Sequence, residues 1–387
     1  MEGYVHPDFA PVTEKLRKVM SARNARGGAA VAVYHHGELV VDAWTGQRNL
    51  EGNPWERDTM AMSFSTTKGV VATVLHRLAD RGLVSYDEPV ATYWPEFAAA
   101  GKDRITIRHL LTHQAGMHPV RSLVSSAQNL LDWEDMVARL AAAEPAWEPG
   151  TRSGYHALTY GWLVGEVIRR VTGLSVNDAV QREIAEPLGV DGLFVGLPAS
   201  ERSRAADLLV SPKASERMLR FFQRLERLER YGPLVEAMMV EDFLDIAVTD
   251  QIHDSELPAA NGVFTARALA RMYAALATPD CFDGPPLLSP ETTAKATEIQ
   301  TSERDAVVLF NMRWRLGYHL AGTTAGVLPQ GFGHFGFGGS GAWGDPESGL
   351  SAALVLNRVT GTPFGDTRFL RVGGAAVRAA RRRADGD

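Results

Sequence analysis

Strand-like and helix-like patterns are sorted along this 387-residue chain rather than mixed. Gly27-Gly28 leads into the apolar run Ala29 to His35, His36-Gly37 turns, and Glu38 to Trp44 follows; this predicts a β-hairpin with glycine at its turn. Strand patterns return only late, at Arg313 to Leu320, at Phe332 to Phe337, and in a hairpin of Ala342-Trp343-Gly344 with Leu350 to Asn357. Between these ends the spacing is mostly helical. A helix runs from near Ser65 to about Arg81 and stops at Gly82. Asp132 is the expected N-cap of Trp133 to Ala142, and Leu158 to Val171 ends at Gly173. A polar helix spans about Val12 to Arg23, and a last one runs from about Asp366 to Arg383. The expected architecture is one sheet assembled from both chain ends with a helical lobe inserted between them. Residues 1–85 and 255–387 would form a discontinuous α/β domain, and 86–254 a mainly helical one.

Composition narrows the function classes. The length is ample for two lobes around a sizeable core. A net charge of −6 implies no nucleic-acid partner. A lone cysteine, Cys281, allows neither an internal disulfide nor a cysteine metal cluster. The first residues lack the basic and apolar regions of a signal peptide, and no apolar run nears the roughly 18 residues of a membrane span. The expected location is cytoplasmic, with no metal and no cofactor.

The chemistry concentrates at Phe64-Ser65-Thr66-Thr67-Lys68-Gly69-Val70. Residues three apart share a helix face, so Lys68 would stand beside the Ser65 hydroxyl. Serine is a weak nucleophile, and a lysine amine can take its proton only if burial or positive charge lowers the amine pKa. The helix N-terminus adds N–H groups suited to a developing anion. Of the six lysines, only Lys68 has serine three positions before it. Its flanks are apolar, and a lysine in an apolar helix is costly without a partner. Two further places stand out. Trp147-Glu148-Pro149-Gly150 turns the chain toward Tyr155, expected at a helix start. There it is either a packed loop tyrosine or an acid/base whose pKa a neighbouring ammonium lowers. Gly331-Phe332-Gly333-His334-Phe335-Gly336-Phe337-Gly338-Gly339 is a glycine-studded strand that allows close backbone approach, or equally a tight bend.

In this order the three motifs resemble the serine β-lactamase and penicillin-binding-protein superfamily. Ile105 to Met117 (Ile-Thr-Ile-Arg-His-Leu-Leu-Thr-His-Gln-Ala-Gly-Met) and Pro187-Leu188-Gly189 resemble stretches of its class C-like branch. The resemblance covers about Gly27 to Asn357. It implies an antiparallel sheet with helices on both sides, a helical lobe and a cleft between them. It also implies an acyl-enzyme on Ser65, Lys68 and Tyr155 as proton carriers, and an oxyanion hole from the N–H groups of Ser65 and Phe337. His334, Phe335 and Gly336 would bind substrate or tune the site. Two departures bear on substrate. Ala157 stands where the family has an asparagine amide, and His334-Phe335 replaces Lys-Thr. Both point away from lactams and toward the ester-cleaving family VIII carboxylesterases acting on short- to medium-chain esters. The alternatives are an amide-directed relative (weak β-lactamase, D-aminopeptidase or amide-oligomer hydrolase), an acyltransferase, and a non-catalytic scaffold. No Gly-x-Ser-x-Gly elbow occurs.

Two other features carry weaker expectations. His109 and His113 are four apart, but without the metalloprotease glutamate they read as structural. Met218 to Ile246 is rich in large apolar residues, and reads as lobe core or as an apolar wall or lid over a pocket.

Overall fold

The computed structural model describes residues 1–21, 26–360 and 366–386. In chain order the elements that position the site are β1 (Glu2–Val5), α1 (Ala10–Met20), β2 (Gly28–His35), β3 (Glu38–Gly46) and α2 (Thr66–Asp80). There follow α3 (Thr159–Thr172), α4 (Pro212–Glu226), α5 (Ala266–Ala277), β4 (His319–Thr323), β5 (Gly326–Phe335), β6 (Gly341–Asp345), β7 (Leu350–Leu356) and α6 (Arg368–Gly386). The seven strands form one sheet in the order β1-β3-β2-β7-β6-β5-β4, every neighbouring pair antiparallel. Its centre is the β2–β7 pairing, from His35 opposite Leu350 to Ala29 opposite Leu356. The sheet therefore draws on both ends of the sequence, as the pattern predicts.

Alternation along the strands builds two apolar layers. Ala29, Val31, Val33, Ala352 and Leu354 face α1 and α6, meeting Phe9, Leu16, Phe369 and Val372. Ala30, Ala32, Ala353 and Val355 face the other way, onto a larger core that takes in α2, α3 and α5. The β2–β3 turn places His36 at φ +45° and Gly37 at φ +78°, the left-handed pair that matches strand twist. Ala61–Met62 and Leu193–Val195 both pair with Gly262–Phe264 in a small separate sheet, which lies just before the start of α2.

Several sequence expectations need correction. β1 is not legible in the sequence, because its residues are exposed or only partly covered and carry no apolar alternation. The first helix occupies Ala10–Met20, and Arg23 lies outside the described residues. The expected strand at Arg313 to Leu320 begins only at His319. Arg313 (φ +45°) and Gly317 (φ +74°) break the extended backbone, and Arg315 N–H donates to Tyr318 O across a tight turn. At the other motif the strand ends at Phe335, and Phe337–Gly339 forms a single 3-10 turn. Among the described residues no helix is long and apolar enough to cross a membrane.

Candidate active site

Ser65 is the N-cap of α2, and the backbone before it is bent sharply: Phe64 sits at φ +46°. The bend is tied from three sides. Ser63 N–H donates to Gly262 O (2.8 Å), Thr67 Oγ1 donates to Phe64 O (2.5 Å), and Gly262 N–H donates to Thr67 Oγ1 (2.9 Å). A non-glycine residue with positive φ is uncommon and persists only where its surroundings enforce it. The result is that Ser65 is part-exposed in a run whose neighbours from Ala61 to Leu75 are all buried.

Lys68 is fully buried one turn on. Its Nζ lies 3.1 Å from Ser65 Oγ, 2.7 Å from Ala157 O and 3.0 Å from Ala259 O. It has no carboxylate partner among the described ion pairs, and burial holds its pKa well below the ordinary lysine range. A neutral amine has two N–H donors and one lone pair. With two carbonyls accepting those donors, an amine in that state would turn its lone pair to the serine hydroxyl. Tyr155 completes the set: it is buried, and its hydroxyl donates to Ser65 Oγ at 2.8 Å. The ammonium-lowered tyrosine considered from the sequence is not found. Burial first, partly offset by the hydrogen bond to Ser65 and helped by Asp305, pushes the Tyr155 pKa well above its usual value. Burial thus pushes the two groups oppositely: the phenol holds its proton more tightly, and the amine gives one up more readily, than either would in water.

Tyr155 also stands four residues before α3, in a loop rather than at a helix start. Neighbours fix it there. Gly154 N–H donates to His113 O (2.8 Å), and His156 N–H to His113 Nδ1 (3.2 Å). Tyr155 N–H donates to Asp305 Oδ1 (3.2 Å), and its ring lies on Trp314 at 5.5 Å with 7° between planes. No sequence motif marks Trp314, Asp305, His113 or the carbonyls of Ala157 and Ala259 as parts of the site.

The third motif is split by strand alternation. His334 faces the cleft layer: its ring is 6.1 Å from Tyr155 and 4.9 Å from His319, and burial holds its pKa well below the histidine range. Nδ1 pairs with Phe335 O (3.1 Å), while Nε2 is buried without a partner. Phe335 turns to the opposite layer, against Phe369 of α6 at 5.2 Å. Its expected place among the substrate-binding side chains is therefore corrected, because adjacent strand residues point to opposite faces. Gly336 lies so close to the α2 approach that a Cβ there would stand 2.2 Å from Ser63 O. That approach sets the Phe337 ring edge-on to Phe64, the residue before Ser65, at 5.1 Å.

His109 caps the short helix Ile107–Leu111 together with Thr106, and His113 lies beyond that helix at φ +58°. Among the described residues no group of three or more His, Cys, Asp or Glu could hold a metal ion. The Met218 to Ile246 stretch forms α4 and the shorter helices Gly232–Met238 and Phe243–Ala247. Phe222, Leu234, Val235 and Met239 form a buried apolar cluster with Tyr155, Ala157, Val307 and Trp314, so this stretch packs as core against the tyrosine loop.

Residues 16–376 match the family described as Beta-lactamase. The chain is 41% identical over 361 residues to "Esterase/beta-lactamase LipL" of Mycobacterium tuberculosis, covering 92% of this chain and 83% of that protein. A penicillin-binding protein homolog from Caulobacter crescentus superposes with TM-score 0.86 at 36% identity, covering 98% of this chain and 99% of that one. A family VIII carboxylesterase does so with TM-score 0.84 at 35% identity, over the same shares.

Proposed function

The chain belongs to the beta-lactamase family, and on that premise we propose that it is a serine carboxylesterase working through an acyl-enzyme on Ser65. The observation that carries the reading is Ser65 Oγ held between the Lys68 amine at 3.1 Å and the Tyr155 hydroxyl at 2.8 Å. Lys68 takes the serine proton as Oγ attacks the ester carbonyl. The N–H groups of Ser65 and Phe337 receive the oxyanion; losing one such donor typically costs about 10²–10³ in rate. Tyr155, protonated at rest, delivers its proton to the leaving alkoxide and regains one from Lys68. The same pair then activates the water that releases the acid.

Esters are favoured over amides because the Ala157 methyl offers no amide donor and its carbonyl is engaged by Lys68. The apolar cluster of Phe222, Leu234 and Met239 suits a short to medium acyl chain. The two-lobe division at residues 85 and 254 is likewise our proposal. It places Ser65 and Lys68 on one lobe and Tyr155 on the other, so the site forms across the seam.

The test is a side-by-side assay of p-nitrophenyl acyl esters, a chromogenic cephalosporin and D-amino-acid anilides, with fluorophosphonate labelling read by mass spectrometry. An adduct on Ser65 and fastest turnover of an ester are expected. Absence of an adduct would sink the acyl-enzyme and favour a scaffold. Far faster cephalosporin turnover would favour a lactamase instead, an activity that the name of the mycobacterial relative also carries.

A further inference from the structure

Tyr155 must hold its hydroxyl on Ser65 from a loop, where no helix or strand fixes its direction. Residue 305 lies 150 positions away and supplies what the loop lacks. The Asp305 side chain is fully buried and has no cationic partner among the described ion pairs. A carboxylate removed from water without a counter-ion is costly unless hydrogen bonds replace its solvent. Four do. Oδ1 accepts from the N–H groups of Tyr155 (3.2 Å), Val307 (2.8 Å) and Val308 (2.9 Å), and Oδ2 accepts from Trp314 Nε1 (2.9 Å). One oxygen thus holds the backbone of Tyr155, and the other holds the indole that lies parallel to its ring. Ala306 N–H adds a bond to Ser153 O (2.8 Å), so two successive residues of this turn grip the tyrosine loop.

We propose that Asp305, directly and through Trp314, is the positioning residue that aims Tyr155 at Ser65. The inference rests on the reading that Tyr155 serves Ser65 in catalysis. Charge and acceptor geometry are both required. An asparagine in place of Asp305 would keep one oxygen for the three backbone donors but turn an NH₂ toward the indole N–H, two donors facing each other. The ring stack would then lose its tether.

The test is a double-mutant cycle on a p-nitrophenyl ester with wild type, Asp305→Asn, Tyr155→Phe and the double variant. In the wild-type background D305N is expected to lower kcat about 10- to 100-fold with KM within about threefold, the pattern of a contact needed in the transition state. In the Y155F background the same change is expected to alter kcat by less than about twofold, because the group it positions is already gone. An equal loss in both backgrounds overturns the proposal and leaves Tyr155 in place. Full activity of Y155F overturns the parent reading, and this one with it. Should D305N not fold, Trp314→Phe carries the same cycle: it keeps an aromatic ring beside Tyr155 and removes the pyrrole ring with its tethered N–H. A loss that persists undiminished in W314F/Y155F overturns the proposal.

Discussion

Two lysines are buried in this molecule, and they differ in one contact. Lys68 and Lys102 are both inaccessible to solvent, and each Nζ reaches three oxygens. For Lys102 all three are backbone carbonyls, those of Ala99 (2.8 Å), Ala141 (3.0 Å) and Ala143, with the Phe97 ring beneath at 5.2 Å. Two of these carbonyls close the helix Trp133–Ala142, whose C-terminal end favours a cation. Three acceptors that cannot give up a proton require three N–H donors, and Lys102 satisfies them as an ammonium. At Lys68 one carbonyl is replaced by the Ser65 hydroxyl, which can donate as well as accept. On the mechanism proposed above, that exchange leaves a lone pair for the serine proton, so it is the third neighbour and not burial alone that separates a proposed base from a structural cation. The direction of the pKa shifts agrees. Burial lowers both, but Glu144 opposes the fall at Lys102, while nothing opposes it at Lys68.

The contrast can be broken by mutation. Ser65→Ala or Lys68→Met should lower kcat by about 10⁴–10⁶, as for other nucleophile–base units, while circular dichroism and unfolding stay cooperative. Tyr155→Phe should cost about 10²–10³, the size of one lost acid/base group. Lys102→Met should do the reverse. Three carbonyls lose their donors, so denaturant unfolding should show a loss of about 2–4 kcal/mol with kcat/KM unchanged per folded molecule. A roughly tenfold fall in kcat/KM for that variant would show that the two lysines are not separable. The last effect is in pH. The folded pKa of Lys68 lies below its unfolded value, so between the two the unfolded chain binds the extra proton. Its contribution is complete above the unfolded lysine pKa and is lost as pH falls toward the folded one. Wild-type stability measured relative to Lys68→Met should therefore rise with pH from neutrality toward about 10, by at most about 1.4 kcal/mol per pH unit. A flat difference would mean that Lys68 keeps its proton.

Legibility follows the range of the contacts. Ser65 and Lys68 are readable because they share one helix face, and the hairpin at His36-Gly37 because its turn is local. Tyr155 and His334 can be found only through the order of motifs. Asp305 and Trp314 escape because their partner lies about 150 residues earlier in the chain. Arg313 to Leu320 misleads for a physical reason: Trp314, Leu316, Tyr318 and Leu320 alternate as a strand would. The alternation instead records that Trp314, Leu316 and Tyr318 are each buried from a looped backbone. The direction of the Tyr155 pKa departs from the expected one because burial outweighs the hydrogen bond to Ser65, and burial is not written in a motif. At Phe335 the two-residue period is in plain sight, and by itself it sends the ring to the far face.

The pairing of β2 with β7 has a consequence in time. Residues 29 to 35 are made about 320 residues before their partners at 350 to 356. Until then the centre of the sheet has an open edge on one side, a template for unwanted pairing. Closing so long a loop also costs entropy before any strand contact repays it, which slows folding. A nascent chain that already carries Ser65, Lys68 and Tyr155 would still lack Asp305 and Phe337, and would depend on shielding of β2 until β7 emerges.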